Sequence, residues 1–318
     1  REKNIRGNSI MVKIDLITGF LGSGKTTFIK KYAKYLIDNG VNIGILENDY
    51  GAVNVDMMLL KDLEGENCEL EMIAGGCDAD CHRRRFRTKL IAMGMCGYDR
   101  VIVEPSGIYD VDEFFDVLRD DPIDRWYEIG NVITVVDAKL ELSDQADYLL
   151  ASEAANAGCI VLSRSQEAED VEIENTVAHL NYAMEKVQCK RRFQNEIIIK
   201  DWDTFDNTDY EKLLSCGYVS ENYRKMHIEE GETFKSLYFM NLDKTKDEIT
   251  EAAKKVLEDG ECGKVFRVKG FLKDKEEKWL ELNATHQEIR TAPIPEGQEV
   301  VIVIGEEMNE AKIRGYFS

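Results

Sequence analysis

The sequence predicts an α/β domain with a mostly parallel sheet, followed by a smaller α+β domain. Over the first ~165 residues, short apolar runs alternate with stretches of helical periodicity. Uninterrupted apolar strands separated by helices are typical of a parallel sheet that is buried on both faces. After about residue 228 the strands follow one another more closely, which favours an antiparallel sheet. We therefore expect domains over residues 11–228 and 229–318, with residues 1–10 forming a tag or a disordered extension.

The elements of the first domain are predicted from the spacing of apolar residues. Strands are expected at Lys13–Thr18, Val41–Glu47, Arg100–Glu104, Val132–Asp137, Cys159–Leu162 and Glu196–Lys200. Helices are expected at Thr26–Asn39, Val111–Arg119, Gln145–Ala157 and Glu169–Val187. This alternation predicts strand–helix–strand units, which place successive strands parallel to one another.

In the second domain, strands are predicted at Thr233–Met240, Gly263–Leu272, Lys278–Asn283 and Glu299–Ile304. Helices are predicted at Lys246–Glu258 and Glu307–Gly315. The two middle strands are separated by a short charged segment, which is typical of an antiparallel hairpin.

Composition excludes several classes of partner. The 318 residues include 61 acidic and 41 basic ones, for a net charge of −20. Such a surface repels nucleic acid and anionic lipid, so we expect neither nucleic-acid nor membrane binding. No apolar run approaches the ~20 residues of a membrane helix. The excess charge suits metal cations or basic partners, although a solvated acidic surface explains it more simply.

The chain contains eight cysteines, and its first ten residues lack the apolar stretch of a secretory signal. Cysteines in a protein without an export signal are typical of a reducing compartment, where thiols stay free or bind metals. We therefore expect a cytoplasmic protein.

One segment predicts a phosphate-binding loop. It fits the pattern G-x-x-x-x-G-K-[ST] and lies between a predicted strand and a predicted helix. Lys25 would reach the β- and γ-phosphates of a nucleotide, and the Thr26 hydroxyl would bind Mg²⁺. The residues expected to hold the nucleotide phosphates are Gly19, Gly22, Ser23, Gly24, Lys25, Thr26 and Thr27.

A nucleotide hydrolase also needs an acidic residue near its Mg²⁺. Glu104 follows the apolar strand that begins at Arg100, and the turn after it offers the Gly107 amide to the γ-phosphate. Asp49 and Asp56 follow the second strand, at the edge of the sheet where ligands bind. Either aspartate would hold a metal-bound or attacking water, or would be an ordinary loop or capping residue.

A candidate metal site lies between the predicted strands Val41–Glu47 and Arg100–Glu104. Cys77, Cys81 and His82 occur within six residues, together with two aspartates. Thiolates and imidazole suit Zn²⁺ or a similar transition metal. The alternative is two free thiols in a loop.

These motifs together resemble the CobW-type metallochaperone GTPases, which are related to the HypB and UreG nickel-insertion GTPases. The resemblance covers about residues 11–318. It rests on Thr18–Thr27, Asn48–Gly51 with Asp56, Gly76–Cys77, Glu104–Gly107, Val135–Ala138 and Gly263–Leu272.

The resemblance implies a P-loop GTPase domain over residues 11–228 and the family's C-terminal domain over residues 229–318. It also implies that GTP and Mg²⁺ order loops around the metal motif and that hydrolysis releases them. Metal would then pass to a client protein. Turnover would be slow without a partner, and a homo-oligomer is left open.

Two segments depart from the family's pattern. Ala79 and Asp80 stand where the family has cysteines, so Cys77 and Cys81 would bind metal with a carboxylate or His82, or metal binding would be lost. The segment Ser163–Gln166 replaces the family's Asn-Lys-x-Asp, which recognises guanine. Ser163 and Arg164 are still expected near the base, but ATP becomes an alternative to GTP.

Two further functions compete with a metal-linked GTPase. One is a metal-independent nucleoside triphosphatase that regulates a partner enzyme, with ATP as an alternative nucleotide. The other is a small-molecule kinase on the same loop. The sequence shows no segment that would bind a phosphate acceptor, and a fold alone does not decide between functions.

Overall fold

The computed structural model describes residues 11–49, 56–74, 79–106, 111–139, 146–194, 196–225, 234–242, 244–274, 276–286, 288–294 and 297–318. Within them the chain divides into two compact units. The first contains residues 11–49 and the described part of 60–225, and the second contains residues 56–59 and the described residues after position 233. The expected boundary at residues 228–229 and the expected extension over residues 1–10 lie outside the described residues.

The first unit is built on a sheet of seven strands. They are β1 (Val12–Thr18), β2 (Ile43–Asp49), β3 (Cys68–Ala74), β4 (Arg100–Pro105), β5 (Tyr127–Asp137), β6 (Cys159–Ser163) and β7 (Ile197–Ile198). Their order across the sheet is β3-β2-β4-β1-β5-β6-β7, and all neighbouring strands are parallel. The predicted parallel sheet is therefore confirmed.

Helices cover both faces of this sheet. They are α1 (Lys25–Asp38), α3 (Ala79–Gly94), α4 (Val111–Leu118), α5 (Ala146–Ala155), α6 (Asp170–Lys186) and α7 (Asn207–Leu214), whereas the short helix α2 (Asp56–Leu60) has its first four residues in the second unit. On one face, Phe86, Phe114 and Leu150 of α3, α4 and α5 belong to one apolar core. On the other, Phe28 of α1 and Leu213 of α7 belong to a second core. None of the described helices is long and apolar enough to span a membrane.

The helix α1 shows how sequence produces this packing. Phe28, Ile29, Tyr32 and Leu36 recur at helical spacing, and all four are buried against the sheet. The helix begins after Gly24, whose backbone is left-handed, and ends before Gly40, which has a φ of +75°. Glycine adopts such angles without steric cost, so the helix has a defined start and end.

A buried polar group, which the apolar strand patterns did not predict, joins three strands to α1. Asp15 of β1 is fully buried and accepts hydrogen bonds from Arg100 of β4 at 2.6 Å and from Tyr32 of α1 at 2.8 Å. The backbone N–H of Asn131 on β5 also donates to it at 2.8 Å. Burial and the charge of Asp15 raise the pKa of Tyr32 well above its usual value. The carboxylate is thus compensated by several donors, as a buried charge requires.

The second unit has an antiparallel sheet of five strands. They are β8 (Phe234–Met240), β9 (Lys264–Lys273), β10 (Trp279–Thr285), β11 (Ile289–Pro293) and β12 (Val300–Glu306), in the order β11-β10-β9-β12-β8. Two helices, α8 (Lys246–Glu258) and α9 (Glu310–Phe317), accompany it. Thr245 and Glu248 form a reciprocal capping box at the start of α8. Ile249, Val268 and Phe317 belong to a core of this unit alone, so the predicted α+β domain is confirmed.

Five elements were missing from the prediction: α2, β3, α3, α7 and β11. The strand β3 is an edge strand in which Glu69 and Glu71 interrupt the apolar residues. The helix α3 begins beside the predicted metal motif and carries several arginines in its first half. The strand β11 is exposed along its whole length. The helices α2 and α7 are short, β3 and α3 have many charged residues, and β11 is exposed, so the apolar pattern on which the prediction depended is weak in these elements.

Candidate nucleotide-binding site

The loop between β1 and α1 has the backbone of a phosphate-binding loop. Gly19, Gly22 and Gly24 have φ angles of +146°, +77° and +100°, which residues with side chains rarely adopt. A Cβ atom on Gly19 would lie 2.2 Å from the carbonyl oxygen of Val135 on β5. The loop therefore requires glycine at Gly19 both for its φ angle and for its close approach to the sheet.

Lys25 and Thr26 form the first turn of α1. Lys25 Nζ donates a hydrogen bond to the carbonyl oxygen of Gly19 at 2.9 Å, which folds the ammonium group back over the loop. Thr26 Oγ1 donates to Glu104 Oε1 at 2.8 Å. Lys25, Thr26 and Glu104 are 8%, 7% and 4% exposed. Hydroxyl and carboxylate oxygens are ligands that Mg²⁺ prefers, so Thr26 and Glu104 fit a magnesium ion.

A second buried carboxylate, Glu47, was not singled out from the sequence. Glu47 on β2 is the register partner of Glu104 on β4 and is 3% exposed. Both lie on the face covered by α1, since Ile45 and Ile102, two residues earlier on each strand, belong to that core. Each of these glutamates is the last residue of a predicted apolar strand. An acidic residue at a strand end, the pattern that identified Glu104, therefore also identifies Glu47.

Several buried polar atoms around the loop have no hydrogen-bond partner among the described residues. They include the hydroxyl groups of Thr18, Ser23 and Ser163 and the side-chain amide of Asn48. Ser163 lies beside the loop, because a Cβ atom on Gly24 would be 3.5 Å from Ser163 Cβ. Buried polar groups without partners are costly, and a phosphate-bearing ligand would supply partners. The residues present therefore fit a polar, anionic ligand.

Arg164, which was expected near the nucleotide base, forms an ion pair with Asp137. Its Nε donates to Asp137 Oδ1 at 2.9 Å, and its Nη2 contacts Oδ2 of the same residue. Arg164 has a φ of +54°, an uncommon value for a residue with a side chain. The ion pair connects the loop after β6 to the end of β5, beside Ser163. Gln166 and Thr27 are exposed.

The predicted metal motif is described only in part. Cys77 lies outside the described residues, while Cys81 is half-buried and His82 fully buried on α3. Burial lowers the pKa of His82 to about 4, and the positive charge of Arg85 makes a smaller contribution in the same direction. The imidazole is therefore neutral at pH 7. Among the residues that the structure describes, no three histidine, cysteine, aspartate or glutamate side chains form a metal-binding group.

The structure describes the remaining predicted residues only in part or not at all. Asp49 is the last residue of β2 and Asp56 is the first of α2, but their side chains are outside the described part of the structure. Gly107, two residues after β4, is also outside it. The roles expected of these three residues stay predictions.

Comparison with known proteins gives a family match and several relatives. The family model described as "CobW/HypB/UreG, nucleotide-binding domain" matches residues 13–194. The chain is similar to zinc chaperone YeiR of Escherichia coli strain K12, with 29% identity over 158 residues, 49% of this chain and 47% of that protein. It is also similar to zinc-regulated GTPase metalloprotein activator 1 of Schizosaccharomyces pombe, with 25% identity over 217 residues, 64% of this chain and 52% of that protein.

The chain therefore spans about half the length of these two curated relatives. Among solved structures, it is similar to the crystal structure of Zn(II)-bound YjiA GTPase from E. coli. The two chains share 18% identity and a TM-score of 0.37, over 96% of this chain and 98% of that chain.

Proposed function

The chain belongs to the CobW/HypB/UreG family, and on this basis we propose that it binds GTP and hydrolyses it slowly, coupling nucleotide state to a metal ion. Zn²⁺ is the proposed metal, because a similar protein is named a zinc chaperone. The proposed partner is a client metalloprotein that receives the ion.

The observation that carries the proposal is the arrangement of Gly19, Lys25, Thr26 and Glu104. A buried ammonium group, a hydroxyl and a carboxylate lie around a loop whose backbone only glycine adopts easily. This is the combination that phosphoryl transfer needs, since catalysis there depends on positioning and on stabilising charge.

Each residue has a defined role in this mechanism. Lys25 would exchange the neutral Gly19 carbonyl for phosphate oxygens, where its positive charge stabilises the transferred group. The loop N–H groups and the start of α1 would orient the phosphates. Thr26 and Glu104 would hold Mg²⁺, which neutralises phosphate charge when bound. Asp49 or Asp56 would orient the attacking water. No arginine is assigned to the transferred phosphate, which supports slow turnover without a partner.

The metal would be bound by Cys77, Cys81 and His82. A thiolate and a neutral imidazole are preferred ligands of Zn²⁺, and the lowered pKa of His82 keeps its imidazole neutral. Closure of these residues around the ion would depend on the bound nucleotide, as for other loops that a γ-phosphate orders.

A metal-independent triphosphatase that regulates a partner enzyme is the second candidate. The sequence observation in its favour is Ala79 and Asp80, which stand where the resembling family has cysteines. ATP belongs to this alternative, because Gln166 replaces the aspartate that accepts two N–H groups of guanine. Losing a charge-assisted hydrogen bond costs about 1.5–3 kcal/mol.

Calorimetric titration with GTP and ATP, each with Mg²⁺ and with or without Zn²⁺, separates these functions. A metal-coupled GTPase binds GTP more tightly than ATP, and Zn²⁺ changes that affinity. The double variant Cys77→Ser/Cys81→Ser should then lose the effect of Zn²⁺ while still binding GTP. Cys96→Ser is the matched control, since Cys96 is an exposed free thiol distant in sequence from the motif. Equal affinity for ATP, with no response to Zn²⁺, would contradict the first function and favour the second.

A further inference from the structure

A buried glutamate that no motif predicts lies on α5, next to the strand β5. Glu153 on α5 is fully buried, and neither of its carboxyl oxygens has a hydrogen-bond partner among the described residues. It interacts electrostatically with Lys25. An ionised carboxylate without donors is strongly disfavoured in a buried position, so this side chain is unexplained by packing alone.

The fold places Glu153 beside β1 and β5. Thr134 of β5 donates its hydroxyl hydrogen to the backbone carbonyl of Glu153 at 2.8 Å. Thr134 is the register partner of Thr18, the last residue of β1 before Gly19. Thr18 and Thr134 lie on the same face as Leu16 and Val136, which belong to the core beneath α5. The Thr18 hydroxyl is also buried without a partner. Two buried polar side chains without partners among the described residues, Thr18 and Glu153, are therefore linked through Thr134 at the end of β1 from which the loop begins.

Several physical effects keep Glu153 neutral. Burial raises its pKa to about 8, against the opposing effect of Lys25. It also lies in the last turn of α5, where the negative end of the helix dipole disfavours a negative charge. At pH 7 the carboxyl group is therefore mostly protonated and carries little negative charge toward Lys25.

Several described charged groups on α5 and around it have partners of their own. They are Asp137 with Arg164, Asp147 with His179 and Lys186, and Arg191 with the carbonyl oxygens of Ala154 and Ala155. Lys25, by contrast, acts on Glu153 and would also change its interaction when a phosphate binds.

We propose that Glu153 is a positioning residue for the phosphate-binding lysine, and that a neutral Glu153 is required for tight nucleotide binding. An ionised Glu153 would compete with the phosphates for Lys25 and would repel them. A bound phosphate would in turn favour the protonated carboxyl. Nucleotide affinity should therefore fall as Glu153 loses its proton. This inference rests on the proposed nucleotide binding at the loop.

The sign of the pH dependence follows from linkage. The phosphates raise the pKa of Glu153 above its value in the free protein, so binding takes up a proton near pH 8. Between about pH 7 and about pH 9, the affinity of the native protein should fall about tenfold, the limit for one group that must be protonated.

The test measures the dissociation constant of Mg²⁺-ADP and Mg²⁺-GDP over this pH range. Three proteins are compared: native, Glu153→Gln and Glu174→Gln. Glutamine keeps the shape of the protonated carboxyl but cannot ionise, so Glu153→Gln should show no decline with pH. Glu174 is exposed on α6, so its variant removes the same charge elsewhere and should decline like the native protein. ADP excludes titration of the guanine ring as the cause.

Equal declines in the native protein and in Glu153→Gln would overturn the inference while leaving nucleotide binding intact. No binding at any pH would overturn both the inference and the proposed function. If Glu153→Gln does not fold, native protein titrated near pH 8 in two buffers of different ionisation enthalpy gives the proton count directly. We expect net uptake of a proton; zero uptake or release contradicts the role of Glu153.

Discussion

At the residue scale, Lys25 holds a hydrogen bond that a phosphate would replace. Its ammonium group is buried and donates to the Gly19 carbonyl at 2.9 Å. Lys25→Ala should reduce nucleotide hydrolysis about 10²–10³-fold, the usual loss for one group that stabilises transition-state charge. The rate of inorganic phosphate release measures the hydrolysis. Lys34→Ala on the same helix is the control, because Lys34 is exposed and pairs with Asp38. Turnover of Lys25→Ala equal to that of the control would refute the assignment.

Glu104 is predicted to act through Mg²⁺ rather than through the nucleotide itself. Its carboxylate accepts the Thr26 hydroxyl hydrogen at 2.8 Å, and both groups fit a magnesium ion. Glu104→Gln keeps the shape but removes the charge, so Mg²⁺-dependent hydrolysis should fall more than nucleotide affinity. Titrations of hydrolysis rate against Mg²⁺ and of binding against nucleotide give the two quantities. Equal losses in both would contradict this role.

At the scale of elements, the phosphate-binding loop depends on its contact with β5. A Cβ atom at Gly19 would lie 2.2 Å from the Val135 carbonyl oxygen, whereas one at Gly40 would meet no atom within 4 Å. Both glycines have positive φ angles. Gly40→Ala should therefore cost about 1–2 kcal/mol of stability, from backbone strain alone. Gly19→Ala would in addition bring Cβ against the Val135 carbonyl oxygen and displace the loop. Nucleotide affinity should therefore fall as well as stability.

Chemical denaturation and nucleotide titration of the two glycine variants separate these effects. If Gly19→Ala binds nucleotide as tightly as Gly40→Ala does, the loop does not need its close approach to β5. The comparison is informative because both variants replace a glycine of positive φ by alanine, and Gly19→Ala alone of the two brings Cβ against a backbone carbonyl.

At the scale of the whole molecule, each compact unit has a core of its own. We predict two calorimetric unfolding transitions, of which Mg²⁺-nucleotide raises the one belonging to the first unit. Leu282→Ala, in the second core, should cost about 2–5 kcal/mol and lower the other transition. Leu90→Ala, in the first unit, is the matched control. A single transition that responds to both substitutions and to nucleotide would contradict this division.

The sequence predicted the fold where local patterns carry the information. The strands β1, β4 and β6 are mostly apolar, and their observed ends lie within one residue of the predicted ones. The helix α8 was predicted with its observed bounds, since its apolar residues recur at helical spacing. By contrast, β3 and β11 are edge strands with polar or exposed residues, and only their pairing with a neighbour makes them strands.

The site divides in the same way between sequence and tertiary structure. The sequence by itself determined the phosphate-binding loop, Lys25, Thr26 and Glu104, because these residues occur in short motifs at strand ends. Only the tertiary structure decided that Glu47 lies beside Glu104 and that Asp15 is compensated by Arg100 from another strand.

Glu153 is the clearest case of information that the sequence does not contain. Its chemistry comes from complete burial and from the electrostatic interaction with Lys25, a residue distant in sequence. A local pattern identifies residues that act together when they are neighbours in the chain. The burial of a charge and its distance from another charge depend on how separate elements pack, so they are fixed only when the chain folds.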